Sequence, residues 1–264
     1  MFLRYLVPYG VIYGAAFWKR FRALGLPGHY AFQRKYRNAL DVSNLELIPA
    51  SIRDSMSCVV DVGANSGSWC ISIGLLTKAR RIIAYEPVAE TYRRLEANTR
   101  HYRQIECRNL AVGSAVGRVE LYVERMSELS SVLPLRNEMR AVHGLRPGET
   151  IRVSAPLTTL DEDLKDCREV SLLKMDIQGY EAEALAGGKS ILKRTLALLI
   201  EVTYAPYYQG DSQFDELFRL ITAISTFRLW GISPPHYSPS GRPLWADAVF
   251  VRADYGQEVS LAQR

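Results

Sequence analysis

One ten-residue stretch, Cys58-Val59-Val60-Asp61-Val62-Gly63-Ala64-Asn65-Ser66-Gly67, constrains this chain more than any other. Val59, Val60 and Val62 form a short β-branched run suited to a buried parallel strand, and the two glycines permit a tight turn into a helix. Gly63 and Gly67 also let a ligand approach the backbone, with the positive end of the next helix facing it. The run Arg81-Ile82-Ile83-Ala84-Tyr85 reads as a second strand that ends on Glu86-Pro87, with Glu86 nineteen residues beyond Gly67. A carboxylate at that position accepts hydrogen bonds from a ribose diol.

The glycine spacing separates two kinds of cradle. A dinucleotide dehydrogenase needs G-x-G-x-x-G to wrap an anionic pyrophosphate, whereas here Gly63 and Gly67 are four apart and Asp61 stands just before them. An anion there repels pyrophosphate and suits a cationic ligand, such as the amino group and sulfonium of S-adenosylmethionine. At these residues the chain resembles class I S-adenosylmethionine-dependent methyltransferases, and within them the FkbM family, whose D-V-G-A-N-x-G and E-P are matched by Asp61 to Gly67 and by Glu86-Pro87. Its second signature, K-x-D-(x)-(E/Q)-G-x-E followed by L-x-G, resembles Lys174 to Glu181 with Leu185 and Gly187, and Thr159-Leu160-Asp161 resembles its T-L-D. The resemblance covers roughly residues 44–253. It implies a Rossmann-like, doubly wound α/β sheet, mostly parallel with an antiparallel last strand, in a three-layer αβα sandwich.

The rest of the pattern is read around that frame. Helices are expected over 44–56, 68–79, 90–103 and 213–225, and further strands over 105–112, 151–160, 170–176, 196–202, 227–232 and 246–252. Residues 113–124, with Gly117 between alternating runs, suggest a hairpin. Residues 125–150 lose periodicity and gather Ser127, Ser130, Ser131, His143, Gly144, Pro147 and Gly148; they are read as an acceptor-binding lid or a surface excursion. A loop over 233–245 is expected above the active edge. The domain organisation is then an N-terminal segment 1–43, a methyltransferase domain 44–255 and a polar tail 256–264.

Charge is informative once located. The net charge of +5 lies within the first sixty residues, since the remainder balances 25 basic against 25 acidic side chains. Residues 1–40 hold seven basic side chains and no acidic one, interleaved with Phe2, Tyr5, Tyr9, Tyr13, Phe17, Trp18 and Phe21. That is the composition of a chain lying on an anionic membrane surface, or of a helix packed on the domain or on a partner protein. The first apolar stretch is interrupted by Arg4, Pro8, Gly10 and Gly14, short of the roughly 20 apolar residues of a spanning helix. No nucleic-acid recognition pattern accompanies the charge. Cys58, Cys70, Cys107 and Cys167 lack C-x-x-C spacing, so neither a zinc site nor a disulfide framework is indicated, and a reducing cytoplasm fits.

Methyl transfer from a sulfonium is an in-line displacement, so the protein's work is alignment and exclusion of water. A hydroxyl acceptor also has to lose its proton, which calls for a base. Asp176, expected at a strand end facing cofactor and acceptor, is the first candidate for that base, or else orients the methionine part of the cofactor. His143 and His236 are loop residues that either close over the acceptor or are ordinary surface histidines. The resemblance assigns Asp61, Gly63, Asn65 and Gly67 to the methionine and ribose end and Glu86 to the ribose hydroxyls. It places the adenine pocket at Asn109 to Ala111. Ser131, Gln178 and Glu181 are candidates for the acceptor side, Glu181 alternatively bracing its own helix. Some sugar methyltransferases hold Mg2+ on clustered carboxylates; Gln178, where many FkbM relatives have glutamate, removes a possible ligand and leaves the metal doubtful. The resulting expectation is O-methylation of a sugar hydroxyl in a surface polysaccharide or glycolipid. A small secondary metabolite as acceptor, or a non-catalytic cofactor-binding subunit, are the alternatives.

Overall fold

The computed structural model describes residues 45–146 and 148–255. The basic, aromatic segment 1–43 and the tail 256–264 lie outside the described residues. Short α1 (Ala50–Ser55) leads into β1 (Cys58–Val62), α2 (Ser68–Leu76), β2 (Arg81–Tyr85), α3 (Ala89–Thr99) and β3 (Ile105–Arg108). Next come β4 (Ala111–Val112), β5 (Gly117–Val123), a 3-10 turn (Ser127–Leu129), α4 (Asn137–Val142), β6 (Ile151–Thr158) and α5 (Leu160–Asp163). The chain closes with β7 (Val170–Met175), α6 (Glu181–Ala186), α7 (Lys189–Leu192), β8 (Thr195–Thr203), α8 (Phe214–Ile224), β9 (Phe227–Ile232), β10 (His236–Tyr237) and β11 (Pro243–Arg252).

The main sheet runs β3-β2-β1-β7-β8-β11, with β9 and β10 both paired to β11. From β3 to β8 every pairing is parallel, and β11 runs antiparallel to β8. Strand order reverses between β1 and β7, and a doubly wound sheet binds ligands at the carboxyl ends of its strands beside that switch. Two apolar clusters mark its two faces. Val59, Ile82, Leu172 and Leu199 pack with Ile52, Trp69, Ile73 and Leu95 of α1 to α3. Val60, Ile83, Leu173 and Ile200 pack with Leu160, Leu185, Ile191 and Leu217 of α5 to α8. Neighbouring strand residues alternate between the two clusters, so both faces are buried, which is why the strand sequences read as continuous apolar runs rather than alternations. The result is the three-layer αβα sandwich expected.

The expectation fails between Ile105 and Glu124. The predicted third strand is two: Arg108 ends its pairing with Tyr85, and Ala111-Val112 leave the main sheet to pair with Leu157 and Thr158. Residues 113–124 form no hairpin; β5 instead pairs antiparallel with β6 across the long 124–150 connection. Strand periodicity reports a half-buried strand but not its partner. The connection is not structureless either. Its Leu129, Leu135 and Leu145 build a third cluster with Tyr207, Tyr208 and Leu244.

Gly63 shows how closely β1 and β7 are joined. Its φ is +88°, and a β-carbon there would overlap the carbonyl oxygen of Asp176, whose own N–H donates to Val62 O at 3.0 Å. Gly63→Ala is expected to cost about 2–5 kcal/mol, from left-handed strain and overpacking together. Gly231 is the control, since a β-carbon added there would have open space within 4 Å and its φ is not positive. Gly231→Ala should stay within about 0.5 kcal/mol of wild type in thermal or denaturant unfolding.

Candidate active site

The turn after β1 is held by its neighbours on both sides. Gly63 and Ala64 both donate to Tyr85 O, at 3.1 and 2.9 Å, which fastens the turn to the tip of β2. Asn65 adopts φ 48° and Gly67 φ 88°, so the chain reverses twice through left-handed geometry before α2 starts. Side chains rarely hold that conformation, and Asn is among the few that do. Gly67 leaves no room for more: an added carbon would meet Leu95 Cδ1 at 2.7 Å.

Glu86, at the end of β2, takes hydrogen bonds from both flanking loops. Oε2 accepts from the Asn65 N–H at 3.0 Å and Oε1 from the Val88 N–H at 2.9 Å. Burial raises its carboxyl to about 7, the two N–H donors opposing that rise. Asn109 sits behind it, donating to the Glu86 and Pro87 carbonyls at 2.8 and 3.1 Å, so its side chain fixes the Glu86-Pro87 corner. Ala111 is buried in β4. Asn109 therefore shapes the β2 tip, while Ala111 belongs to the smaller sheet.

Asp61 is shut off from solvent. It is fully buried under α2, where Oδ2 accepts from Cys70 Sγ at 2.9 Å and Oδ1 from Lys174 Nζ at 3.2 Å. The cause is the pleat: Asp61 and Lys174 are register partners on β1 and β7 and point to the same face. Lys174, itself buried, also reaches Asp176 Oδ2 at 3.4 Å and lies 5.5 Å from the Trp69 ring centre. A cation between two carboxylates and an aromatic face is well placed inside a protein, and its removal leaves Asp61 buried without its counter-charge.

Asp176, the residue after β7, is partly open. Its Oδ1 accepts from Gln178 Nε2 at 2.7 Å, while Oδ2 faces Lys174. Gln178 has φ 60° and joins four elements. Its Oε1 accepts from Tyr208 OH at 2.7 Å, its backbone oxygen accepts from Ser131 Oγ at 2.7 Å, and Nε2 lies 3.5 Å from Glu201 Oε1. Ser131 is buried and also takes the Leu133 N–H, so it anchors the loop to the edge of the sheet. Glu181 is buried too and accepts from the Ile177 N–H at 3.0 Å, bracing the turn into α6; burial lifts its carboxyl to about 7.

The two histidines lie apart from Asp176 in their bonding. His143 Nε2 is 2.6 Å from Tyr207 OH, and His236 stacks on Trp245 with ring centres 3.6 Å apart. Burial lowers the pKa of each. Two residues of consequence carried no assignment from sequence. Lys174 was legible only as the lysine of the second signature, and Glu201 only as an acidic residue closing an apolar strand. A charged side chain inside an otherwise apolar β-run is the signal that marks both.

The turn, Glu86 and the β7 tip fit S-adenosylmethionine: a carboxylate beside a left-handed backbone turn for the ribose, and a second carboxylate, Asp176, on the next strand tip. Magnesium fits less well. Asp176 already engages an ammonium and an amide nitrogen, and among the described residues no group of three or more His, Cys, Asp or Glu side chains is arranged to hold a metal ion. Among the described residues, no helix is long and apolar enough to cross a membrane.

Residues 61–229 match the methyltransferase FkbM domain. Over 160 residues the chain is 23% identical to the 2-O-methyltransferase NoeI of Sinorhizobium fredii (strain NBRC 101917 / NGR234), a match covering 58% of this chain and 66% of that protein. Among solved structures it is similar to methyltransferase FkbM from Methylobacillus flagellatus KT, with 16% identity, a TM-score of 0.49, and coverage of 89% of this chain and 60% of that one. Aeropyrum pernix fibrillarin, in complex with natively bound S-adenosyl-L-methionine, gives 13% identity, a TM-score of 0.44 and coverage of 80% and 72%. The chain thus spans just under two thirds of the length of the first two proteins.

Lys174→Met is expected to destabilise the fold by about 3–5 kcal/mol, because Asp61 stays buried and loses its cation. The double variant Asp61→Asn with Lys174→Met should recover most of that loss in denaturant unfolding. A double-variant loss equal to the sum of the two single-variant losses would show that the pair is not coupled.

Proposed function

The chain belongs to the FkbM methyltransferase family, and on that premise we propose that it is an S-adenosylmethionine-dependent O-methyltransferase whose acceptor is a sugar hydroxyl of a surface polysaccharide or glycolipid. One observation carries the cofactor part: the left-handed turn over Gly63 to Gly67 is pinned to the tip of β2, with Glu86 directly against it. Glu86 and the turn would hold the nucleoside, and Asp176 lies at the tip of the strand next to β1. The cofactor supplies an electrophilic methyl group when bound; the protein's part is to align the acceptor, exclude water and accept a proton. Oxygen as the accepting atom, and sugar as its carrier, draw on the similarity to a 2-O-methyltransferase. Residues 1–40, with seven basic side chains among aromatic ones, supply the contact with a membrane-borne acceptor at the cytoplasmic face.

Labelled S-adenosylmethionine incubated with fractionated cell-envelope glycans and, separately, with small-metabolite extracts tests the reading. Label in alkali-stable methyl ethers of the glycan fraction is the expected result. Label only in small metabolites would move the acceptor class, and no transfer to either would support a cofactor-binding subunit.

Glu86→Ala should weaken S-adenosylmethionine binding by about tenfold or more, as expected for a lost charged hydrogen bond. The wild-type affinity should itself rise with pH. Glu86 holds its proton up to about 7, so its carboxylate, the form that accepts from both ribose hydroxyls, fills in between pH 6 and 8. Calorimetry should show binding up to about tenfold tighter at pH 8 than at pH 6, and no such trend in Glu86→Gln.

A further inference from the structure

We propose that Glu201, and not Asp176, is the general base that removes the proton of the acceptor hydroxyl; this rests on the O-methyltransferase reading. The partners of the two carboxylates set them apart. Both oxygens of Asp176 are engaged by donors, Gln178 Nε2 and Lys174 Nζ. An acceptor hydroxyl at Asp176 would therefore have to compete with two protein donors already in place. Glu201 stands one strand further along the same carboxyl edge, near the end of β8, and remains partly exposed. Its single hydrogen bond among the described residues is the long one, 3.5 Å, from Gln178 Nε2 to Oε1, and Oε2 has none.

The surroundings favour a protonatable group there. Glu201 sits directly across from Asp247 on β11. Asp176 and Glu181 face it from the β7–α6 turn, Tyr207 and Tyr208 from the segment after β8, and Lys174 from β7. Burial first, then the charges of Asp176, Glu181 and Asp247, push its carboxyl well above the ordinary carboxylate range, while Lys174 opposes them. A base with a raised pKa takes a proton more readily, and Brønsted behaviour makes such a residue effective near neutral pH. Gln178 links the two carboxylates through one amide nitrogen. It thereby engages Asp176 closely and leaves Glu201 the more open of the two. A glutamate at position 178 would add a further negative charge between them.

The step balances without another reagent. The acceptor oxygen forms its bond to the methyl carbon, the carbon–sulfur bond breaks with its electron pair going to sulfur, and the hydroxyl proton passes to a Glu201 oxygen. The methyl donor is S-adenosylmethionine, as in the reading above.

The test compares wild type, Glu201→Gln, Glu201→Asp and Asp176→Asn in transfer of labelled methyl to the envelope-glycan fraction, from pH 5.5 to 9. Calorimetric S-adenosylmethionine binding and thermal unfolding serve as controls. Wild-type kcat is expected to rise with pH along a limb above the ordinary carboxylate range. Glu201→Gln should lower kcat by about 10²–10⁴-fold and erase that limb, with cofactor affinity within about twofold of wild type. Glu201→Asp should restore part of the rate together with the limb, and Asp176→Asn should keep the limb whatever its effect on rate. A Glu201→Gln enzyme with wild-type kcat and pH profile would overturn the proposal. So would loss of the limb in Asp176→Asn with its retention in Glu201→Gln. A wild-type enzyme that methylates nitrogen or carbon in place of a hydroxyl would overturn the underlying reading itself, which the variants do not enter.

Discussion

The buried ammonium of Lys174 is the interaction on which the carboxyl edge of the sheet depends. Asp61 on β1 and Asp176 beyond β7 both point toward the switch in strand order, and two like charges this close to the core require a cation between them. Trp69 of α2 covers the group from above, and Cys70 fills the remaining side of Asp61 with a weak donor. The charge is thus shared by two strands and a helix. That sharing fixes where β1, β7 and α2 stand relative to one another, and with them the turn that leads to Glu86.

From this point the site is built by backbone as much as by side chains. The Tyr85 carbonyl receives two successive N–H groups of the glycine turn, and the Asp176 carbonyl occupies the space that a side chain at 63 would need. The edge around Asp176 is assembled in another way, through Gln178. Its amide and carbonyl tie the β7–α6 turn to Ser131 of the long connection and to Tyr208 after β8. The two halves also touch through Asn65 and Ser127, 3.2 Å apart. A segment inserted between β3 and β7 therefore contacts both the glycine turn after β1 and the β7–α6 turn.

The central strands of the main sheet were legible in sequence because both of its faces are buried, so the apolar runs of β1, β2, β7 and β8 close on an acid or a glycine. Glu86 and Asp176 could be placed at strand tips for that reason. What was not legible is pairing between distant segments. Nothing in residues 105–112 announces that Arg108 stays in one sheet while Ala111 joins another, and the partner of β5 lies beyond a connection of some 27 residues whose own core uses Tyr207 and Tyr208. Side-chain direction was the second gap. Asp61 reads as a ligand-facing acid until its register partner is known to be Lys174, and Ser131 reads as an acceptor-side candidate until Gln178 O is found against it. His143 and His236 were visible as loop histidines, but their aromatic neighbours, Tyr207 and Trp245, come from elsewhere in the chain.

The proposed function requires the nucleoside to lie between the glycine turn and the tip of β2, with the methyl-bearing end directed to the Asp176 and Glu201 edge. A crystal structure with S-adenosylhomocysteine bound measures this most directly. Ribose hydroxyls within hydrogen-bond distance of the Glu86 carboxylate, and a sulfur facing Asp176 and Glu201, are the predicted result. Ribose bound away from Glu86, or the sulfur turned toward β3, would contradict it.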